Sequence, residues 1–376
     1  MAEFPVIQKQ NSTVQLLQSK EAREVQLRVV YIKLDEIVTI QEQFSGIVFL
    51  RARWREPTLD NTTVRDVDNA DWAACWDPKL DIQNVKGEPK ASKWRELEFG
   101  PNGEVYVVER LRVKGAFAER MELTHFPFDL QDLSVLVTSE LKEHEIHLVE
   151  DEHDISIVDI NAFADDQEWD LHPCVWTEPK VMVKSEYTQF AHSKPGLYFK
   201  CCATRLSGYF VWNIMFIMSA ISLLSVVTFA VSRTLPQNRL QLSFILMLAS
   251  VTFKFAASNS VPKIAYLTYL DRYILSLFIF TFLIAAWHGV VTRWEDYPSV
   301  QKDLDFWAFI CFIILYVLIH VGFMIIIMFS GYRRRSFLIA REQEYTERAA
   351  NLTGKLTSKK KKTGGFRRGL ARMGFV

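Results

Sequence analysis

Gln241, Ile245, Leu248, Thr252, Phe255 and Asn259 recur at spacings of four, three, four, three and four residues. That spacing puts all six on one face of a helix, with polar ends and an apolar middle. They sit in an apolar stretch, residues 239–261, that also carries Ser243, Ser250, Lys254 and Ser258. Polar side chains inside a membrane usually face protein or a water-filled path. The face is therefore either packed against other helices with its polar groups bonded internally, or it lines a route for permeant ions. In the second case Ile245 and Leu248 form an apolar constriction that gates by dewetting. Periodicity alone leaves both readings open. Lys254 stands about 200° around the helix from Thr252, off that face, and its charge needs a partner or water.

Other reactive groups are less specific. His144, His147 and His153 lie among Glu143, Glu145, Glu150, Asp151, Glu152 and Asp154. A divalent ion or a proton could bind there. The spacing matches no specific metal pattern, which favours a solvated acidic loop and no metal site. The five cysteines, Cys75, Cys174, Cys201, Cys202 and Cys311, form no CxxC pair and no zinc framework. Cys311 sits in an apolar run and reads as a buried thiol. Cys75 and Cys174 could pair if their domain is extracellular. No nucleophile or metal constellation is convincing, so the expectation is a chain that is not an enzyme and uses no cofactor.

The elements that would position these residues divide the chain in two. Residues 1–206 hold 24 basic and 36 acidic residues, a balance of −12, and residues 207–376 hold 20 and 8, a balance of +12. The halves therefore face different environments. The first reads as strands: alternation runs through 25–34, 47–54 and 105–113, with shorter runs near 133–138, 154–160, 180–187 and 197–205. Turn residues such as Pro57, Gly87, Asn102-Gly103 and Pro195-Gly196 punctuate them. Many short strands at this spacing predict a β-sandwich. A short leading helix is expected over 13–22. The N-terminus has no signal-peptide pattern, so an extracellular domain would imply numbering from near a mature N-terminus.

The second half changes character at Tyr209. Residues 209–231 carry no charge, and 273–291 and 306–330 carry only His288 and His320 as ionisable side chains apart from tyrosines and Cys311. With 239–261 they predict four helices able to cross a hydrocarbon layer of roughly 30 Å. A basic tail, 332–376, follows. Four crossings return Arg333-Arg334-Arg335 and Lys359–Lys362 to the side of the first domain, against the positive-inside tendency if that side is extracellular. Asn351-Leu-Thr353 is a glycosylation pattern weakly consistent with an outside tail.

His125-Phe-Pro-Phe-Asp129-Leu-Gln131 resembles the signature loop of the pentameric ligand-gated ion channels, the Cys-loop receptor superfamily. Further matches fall in the family's order. They are Trp54-Arg-Glu-Pro-Thr-Leu59, Trp76-Asp-Pro-Lys-Leu80 followed by Asn84, Arg205 followed by Tyr209-Phe-Val-Trp-Asn213, and Pro262 with Leu270-Asp-Arg-Tyr273. Together they cover about residues 25–330. The sequence departs from the pattern where the loop's closing cysteines would stand, at Glu119 and Leu133. The proline usual in the first helix is matched by Ile217, and the short link between third and fourth helices leaves no room for a large cytoplasmic domain. Cys201-Cys202 lie too close to Asn213 to match the family's adjacent agonist-site cysteines and read as strand residues on opposite faces.

The resemblance implies an extracellular β-sandwich, residues 1–206, above a four-helix transmembrane domain, residues 207–331, in a plasma-membrane pentamer. Its partners would be four identical or related subunits, the lipid bilayer and a small-molecule ligand of unknown identity, with no nucleic acid. The family's agonist box falls on Phe49, Gln83, Glu140, Tyr187, Phe190 and Tyr198, poor in aromatics and unlike an acetylcholine site. Trp54 and Trp76 match structural core positions. The pore face is Asn238 with the six residues above. The gating contacts fall on Ile40, Phe126, Pro127, Phe128, Asp129, Arg205 and Pro262. A glutamate ring of cation channels is replaced by Asn238, and Arg239 matches a basic position of both ion classes. Five domains of −12 give about −60, which would concentrate cations at the mouth. The expected function is a ligand-gated channel favouring cations; the alternative is a ligand-binding membrane receptor of the same fold that conducts poorly or not at all.

Overall fold

The computed structural model describes residues 22–60, 72, 75–100, 102–180, 194–258 and 264–353. The expected helix over 13–22, the run beyond Lys180 and Lys359–Lys362 fall essentially outside these. A strand-rich N-terminal domain of two sheets is followed by four helices long and apolar enough to cross a membrane.

Eleven strands are described: β1 Arg23–Val38, β2 Gln43–Arg55, β3 Leu80–Ile82, β4 Val85–Phe99, β5 Val105–Ala118, β6 Leu130–Ser139, β7 Ile146–Glu150, β8 Ile157–Val158, β9 Trp169–Leu171, β10 Trp176–Pro179 and β11 Gly196–Arg205. The first sheet runs β4-β5-β2-β1-β7, with β8 also on β1. The second runs β10-β11-β6-β3, with β9 also on β11. Alternation sends Val25, Leu27, Val29 and Tyr31 from β1, and Leu197, Phe199, Cys201 and Ala203 from β11, into one shared core. Tyr31 ties the sheets across it, its hydroxyl reaching the carbonyls of Phe199 at 2.7 Å and Leu133 at 3.0 Å.

β4 is the strand that alternation does not announce. Its fifteen residues are mostly exposed, because it forms the sheet's edge, where charged side chains keep other strands away. Gly87 is therefore no strand boundary. Its φ of +68° sits at the register shift between Lys86 and Lys90, a bulge that a residue without Cβ accommodates. The run expected over 154–160 shrinks to β8.

The helices are α1 Gly208–Ala230, α2 Pro236–Ser258, α3 Tyr269–Val291 and α4 Pro298–Thr353. α1 contains a π-helical turn, Val211–Met215, and ends in a 3-10 turn, Thr228–Ala230. α3 starts four residues before the charge-free run, since Thr268 and Asp271 form a capping box at its N-terminus. α4 differs most from expectation. It does not stop near 330 but continues through the arginine triad to Thr353, so the basic tail begins as helix. Fifty-six residues at about 1.5 Å each reach roughly 84 Å, far more than a bilayer needs.

That excess length lies on the N-terminal domain. Arg334 donates to the Phe128 carbonyl. Leu338 packs against Cys174, Trp176 and Cys202, and Arg341 lies 5.6 Å from the Trp176 ring centroid. Glu342 meets His172 Nδ1 at 3.2 Å, the Tyr345 hydroxyl donates to the Ser156 carbonyl at 3.0 Å, and Arg348 pairs with Glu150 at 2.8 Å. The positions 334, 338, 341, 345 and 348 are spaced four, three, four, three, one continuous helical stripe. Of the positive charge that ran against the positive-inside tendency, Arg334 is thus engaged with the strand domain.

Candidate functional site

The domains meet where the 119–129 loop lands on the helices. Leu123 and Phe126 enter an apolar cluster with Ile214, Met215 and Met218 of α1, Ala257 of α2, and Leu270, Tyr273, Ile274 and Leu277 of α3. The loop also completes the α3 N-terminus. Tyr269 and Leu270 donate their backbone N–H groups to the carbonyls of Thr124 and Phe126, both at 3.1 Å, and the Leu123 N–H donates to the Tyr266 hydroxyl at 3.0 Å. The first N–H groups of any helix lack intrahelical partners, and here the other domain supplies acceptors. The Phe126–Pro127 peptide is cis.

Asp129 and Arg205 form the junction's ion pair. Arg205 Nε donates to Asp129 Oδ1 at 2.8 Å and Nη2 to Oδ2 at 3.3 Å, with both residues buried. Gln131 donates to Asp129 Oδ2 at 2.7 Å. The guanidinium lies 4.1 Å from the Trp169 ring centroid and 4.9 Å from that of Phe126. Removing either charge would strand the other away from water, which makes the pair costly to break. Of the expected contacts, Phe126, Pro127, Phe128, Asp129 and Arg205 are brought together here. Ile40 is not: it projects from the β1–β2 turn, 58% exposed, outside the junction cluster. Pro262 lies outside the described residues.

α2 presents two unlike faces. Asn238, Gln241, Ile245, Leu248, Thr252 and Phe255 are all exposed. Arg239, Ser243, Ser250 and Ala257 are buried against neighbouring helices. The Ser243 and Ser250 hydroxyls donate to the carbonyls four residues back, each at 2.9 Å. Of the two readings of this helix, packing within the same chain therefore applies to its serine face and not to the Gln241–Phe255 face. Asn259 lies outside the described residues. Lys254 is exposed and has no partner among the described residues.

Arg239 turns away from the exposed face and is buried. Its Nη1 donates to both Asp305 oxygens at 3.1 and 3.0 Å, Nε to the Val231 carbonyl at 2.8 Å and Nη2 to that of Phe229 at 3.0 Å. Trp287 Nε1 adds a bond to Asp305 at 3.4 Å. This second buried pair joins α2 to α4 at the end of the bundle remote from the strand domain. Asp305 gave no sequence signal, because the first turns of α4 carry charges of both signs and read in sequence as part of the link after α3. A further polar knot joins three helices: Ser219 Oγ lies 2.6 Å from the Tyr316 hydroxyl and 2.9 Å from His320 Nε2, which is 3.2 Å from the Tyr273 hydroxyl.

The expected agonist residues do not meet within one chain. Phe49 lies on the outer face of the first sheet, 6.0 Å from Trp94, beside Arg28, Arg51, Arg110 and Asp154. Gln83, Glu140 and Tyr198 belong to the second sheet and its loops. Gln83 Oε1 accepts from Lys180 Nζ at 2.5 Å, and Lys200 Nζ lies 5.8 Å from the Tyr198 ring centroid. Outer faces of opposite sheets are separated by the core, so Phe49 could join the others only through a second subunit. Tyr187 and Phe190 lie outside the described residues. His144, His147 and His153 are all exposed.

One cysteine reading changes. Cys311 is exposed, not buried, because it sits on an outward face of α4 that no helix among the described residues covers. Cys174 is buried and packs with Cys202. Cys201 and Cys202 do lie on opposite faces of β11, one in the shared core and one beneath α4. Trp54 is buried in the core, 6.1 Å edge-on from Trp76, in keeping with structural roles for both. No known protein-family model matches the sequence.

Proposed function

We propose that the chain is one subunit of a pentameric ligand-gated ion channel of the Cys-loop receptor superfamily, with its strand domain outside the plasma membrane. The observation that carries this reading is the exposed Gln241–Phe255 face of α2. An apolar helix packed on one side by serines and alanine, with a polar-ended face left open, suits a ring of copies around a water-filled axis. Ile245 and Leu248 then form the constriction. The junction supports coupling: one loop touches α1 and α3, caps α3 and carries the Asp129–Arg205 pair, so movement of the strand domain is transmitted to the helices. Agonist binds between subunits, bringing Phe49 of one to Gln83, Glu140 and Tyr198 of the next. The chain has no enzymatic role in this scheme.

With Arg239 held by Asp305, the inner mouth presents neutral Asn238 and Gln241. Fixed charge near the pathway then comes from the acidic outer domains, which favour cations. Bulky Ile245, Leu248 and Phe255 along the same face suit a second reading, a receptor of this fold that conducts poorly or not at all.

The full-length chain in lipid nanodiscs should image as five-fold particles. Leu248→Cys in voltage-clamped cells should be blocked by a charged, membrane-impermeant thiol reagent. A non-pentameric particle overturns the architecture. Five-fold particles without current under a broad ligand screen favour the second reading, and a reversal potential set by chloride refutes the cation preference.

A further inference from the structure

Cys174 and Cys202 lie under α4, on the outer face of the second sheet. The β10–β11 register pairs Thr177 with Phe199 and Trp176 with Lys200, its last pair, two residues short of both Cys174 and Cys202. The β9–β11 register differs by two, with Leu171 opposite Ala203, so the Pro173 turn takes up the extra residues. The His172 N–H donating to the Cys202 carbonyl at 3.0 Å pins that turn. Two residues beyond that last pair the two side chains share one cluster and their thiols are in side-chain hydrogen-bonding contact, the proximity from which a disulfide can close. Both residues are almost fully buried, packed with Trp176 and Leu338 and with Tyr345 alongside. Cys201 points into the core, its thiol directed at the Leu133 carbonyl at 3.7 Å.

We propose that Cys174 and Cys202 are a dithiol–disulfide pair, oxidised by low-molecular-weight disulfides and shielded from them by the C-terminal stretch of α4. The order of attack follows from their surroundings. The Cys202 thiol beside it, and His172 nearby, hold the Cys174 thiol below its ordinary range against the opposing effect of burial. Cys202 is pushed up by Cys174 and by burial. Cys174 as thiolate attacks one sulfur of the reagent, breaking its S–S bond and releasing one thiolate. Cys202 then gives up its proton and attacks the Cys174 sulfur of the mixed disulfide, releasing the second thiolate. Two thiols are oxidised to one disulfide, the reagent is reduced to two thiols, and the two protons reside on them. Reagent reaches the sulfurs only when Leu338 and Tyr345 lift, so the reaction reads the seating of α4. It does not depend on conduction.

The test uses full-length protein in detergent, incubated with glutathione disulfide, alkylated under denaturing conditions and peptide-mapped without reductant. A peptide joining Cys174 to Cys202 is expected, forming about ten-fold faster in Leu338→Ala, where the cover is loosened. Tyr345→Phe, a milder change that keeps the ring, should accelerate it less. Linkage through Cys75 or Cys201, glutathione adducts alone, or both thiols still alkylatable in wild type and both variants overturns the pair. Equal rates in all three proteins overturn the shielding by α4.

Discussion

In the strand domain, Leu27, Phe44, Trp54 and Phe199 are at most 2% exposed; in the helices, Phe244, Leu248, Phe255 and Leu318 are more than half exposed. The residue types are alike and the environments opposite. The first region closes its core with its own chain, sheet against sheet. The second leaves apolar surface of an extent that soluble proteins rarely expose, on helices long and apolar enough to cross a membrane. Stability of the first is therefore a property of the chain itself, and that of the second depends on its surroundings.

The largest expected effect sets these regions against each other. Trp54→Ala or Phe199→Ala should destabilise the strand domain by about 3–5 kcal/mol. Phe255→Ala should change subunit stability by less than about 0.5 kcal/mol. Denaturation followed by near-ultraviolet circular dichroism measures both, and equal losses would erase the distinction.

Arg205→Ala comes next, since it leaves Asp129 charged and buried at a cost of about 3–5 kcal/mol concentrated at the junction. Surface expression or gating should be lost, and wild-type levels of both would remove the junction's proposed role. The Arg239–Asp305 pair extends the comparison into the helices. Arg239→Ala should be damaging there too, whereas the apolar double variant Arg239→Met with Asp305→Leu should recover much of the assembly, scored by size-exclusion chromatography.

Tyr345→Phe removes one bond from α4 to the Ser156 carbonyl, a loss of about 1 kcal/mol. Hydrogen exchange should rise in α4 beyond residue 334 and in the edge strand β10 beneath it, while the shared core stays protected; uniform exchange would mean the two regions are less separable than their packing implies.

Glu119 gives the smallest effect. Its Oε2 accepts from the Ser134 N–H at 2.8 Å and from the Ser134 hydroxyl, but burial raises its pKa. The folded state then holds this proton more tightly than the unfolded state. Stability is therefore lost as pH rises from the unfolded value through the raised folded value. Glu119→Gln keeps an acceptor, should flatten that slope and should slightly raise the neutral-pH melting temperature. Asp132, also raised by burial, should leave a residual slope.

Legibility in the sequence followed periodicity. β1, β2, β5 and β11 alternate because one face of each meets the core, and the four helices show as long apolar runs. β4 escaped because an edge strand in water need not alternate. The junction pair was visible through its motif residues Asp129 and Arg205. Its counterpart Arg239–Asp305 was not, since no motif marks Asp305 and the whole of α3 lies between the partners in sequence. The reach of α4 was hidden by composition: Arg334, Arg341, Glu342 and Arg348 read as a charged tail until their spacing is set beside Leu338 and Tyr345.

That long helix also bears on the order of synthesis. Residues 334–348 emerge from the ribosome after everything they touch, so the second sheet waits, half uncovered, while three helices are inserted ahead of its cover. A chain cut short near residue 330 would keep all four spans yet expose Trp176 and the cysteines beside it. The outer face of the second sheet is thus covered only by residues made after all four spans, so the packing of Trp176 depends on a stretch of helix about 160 residues further along the chain.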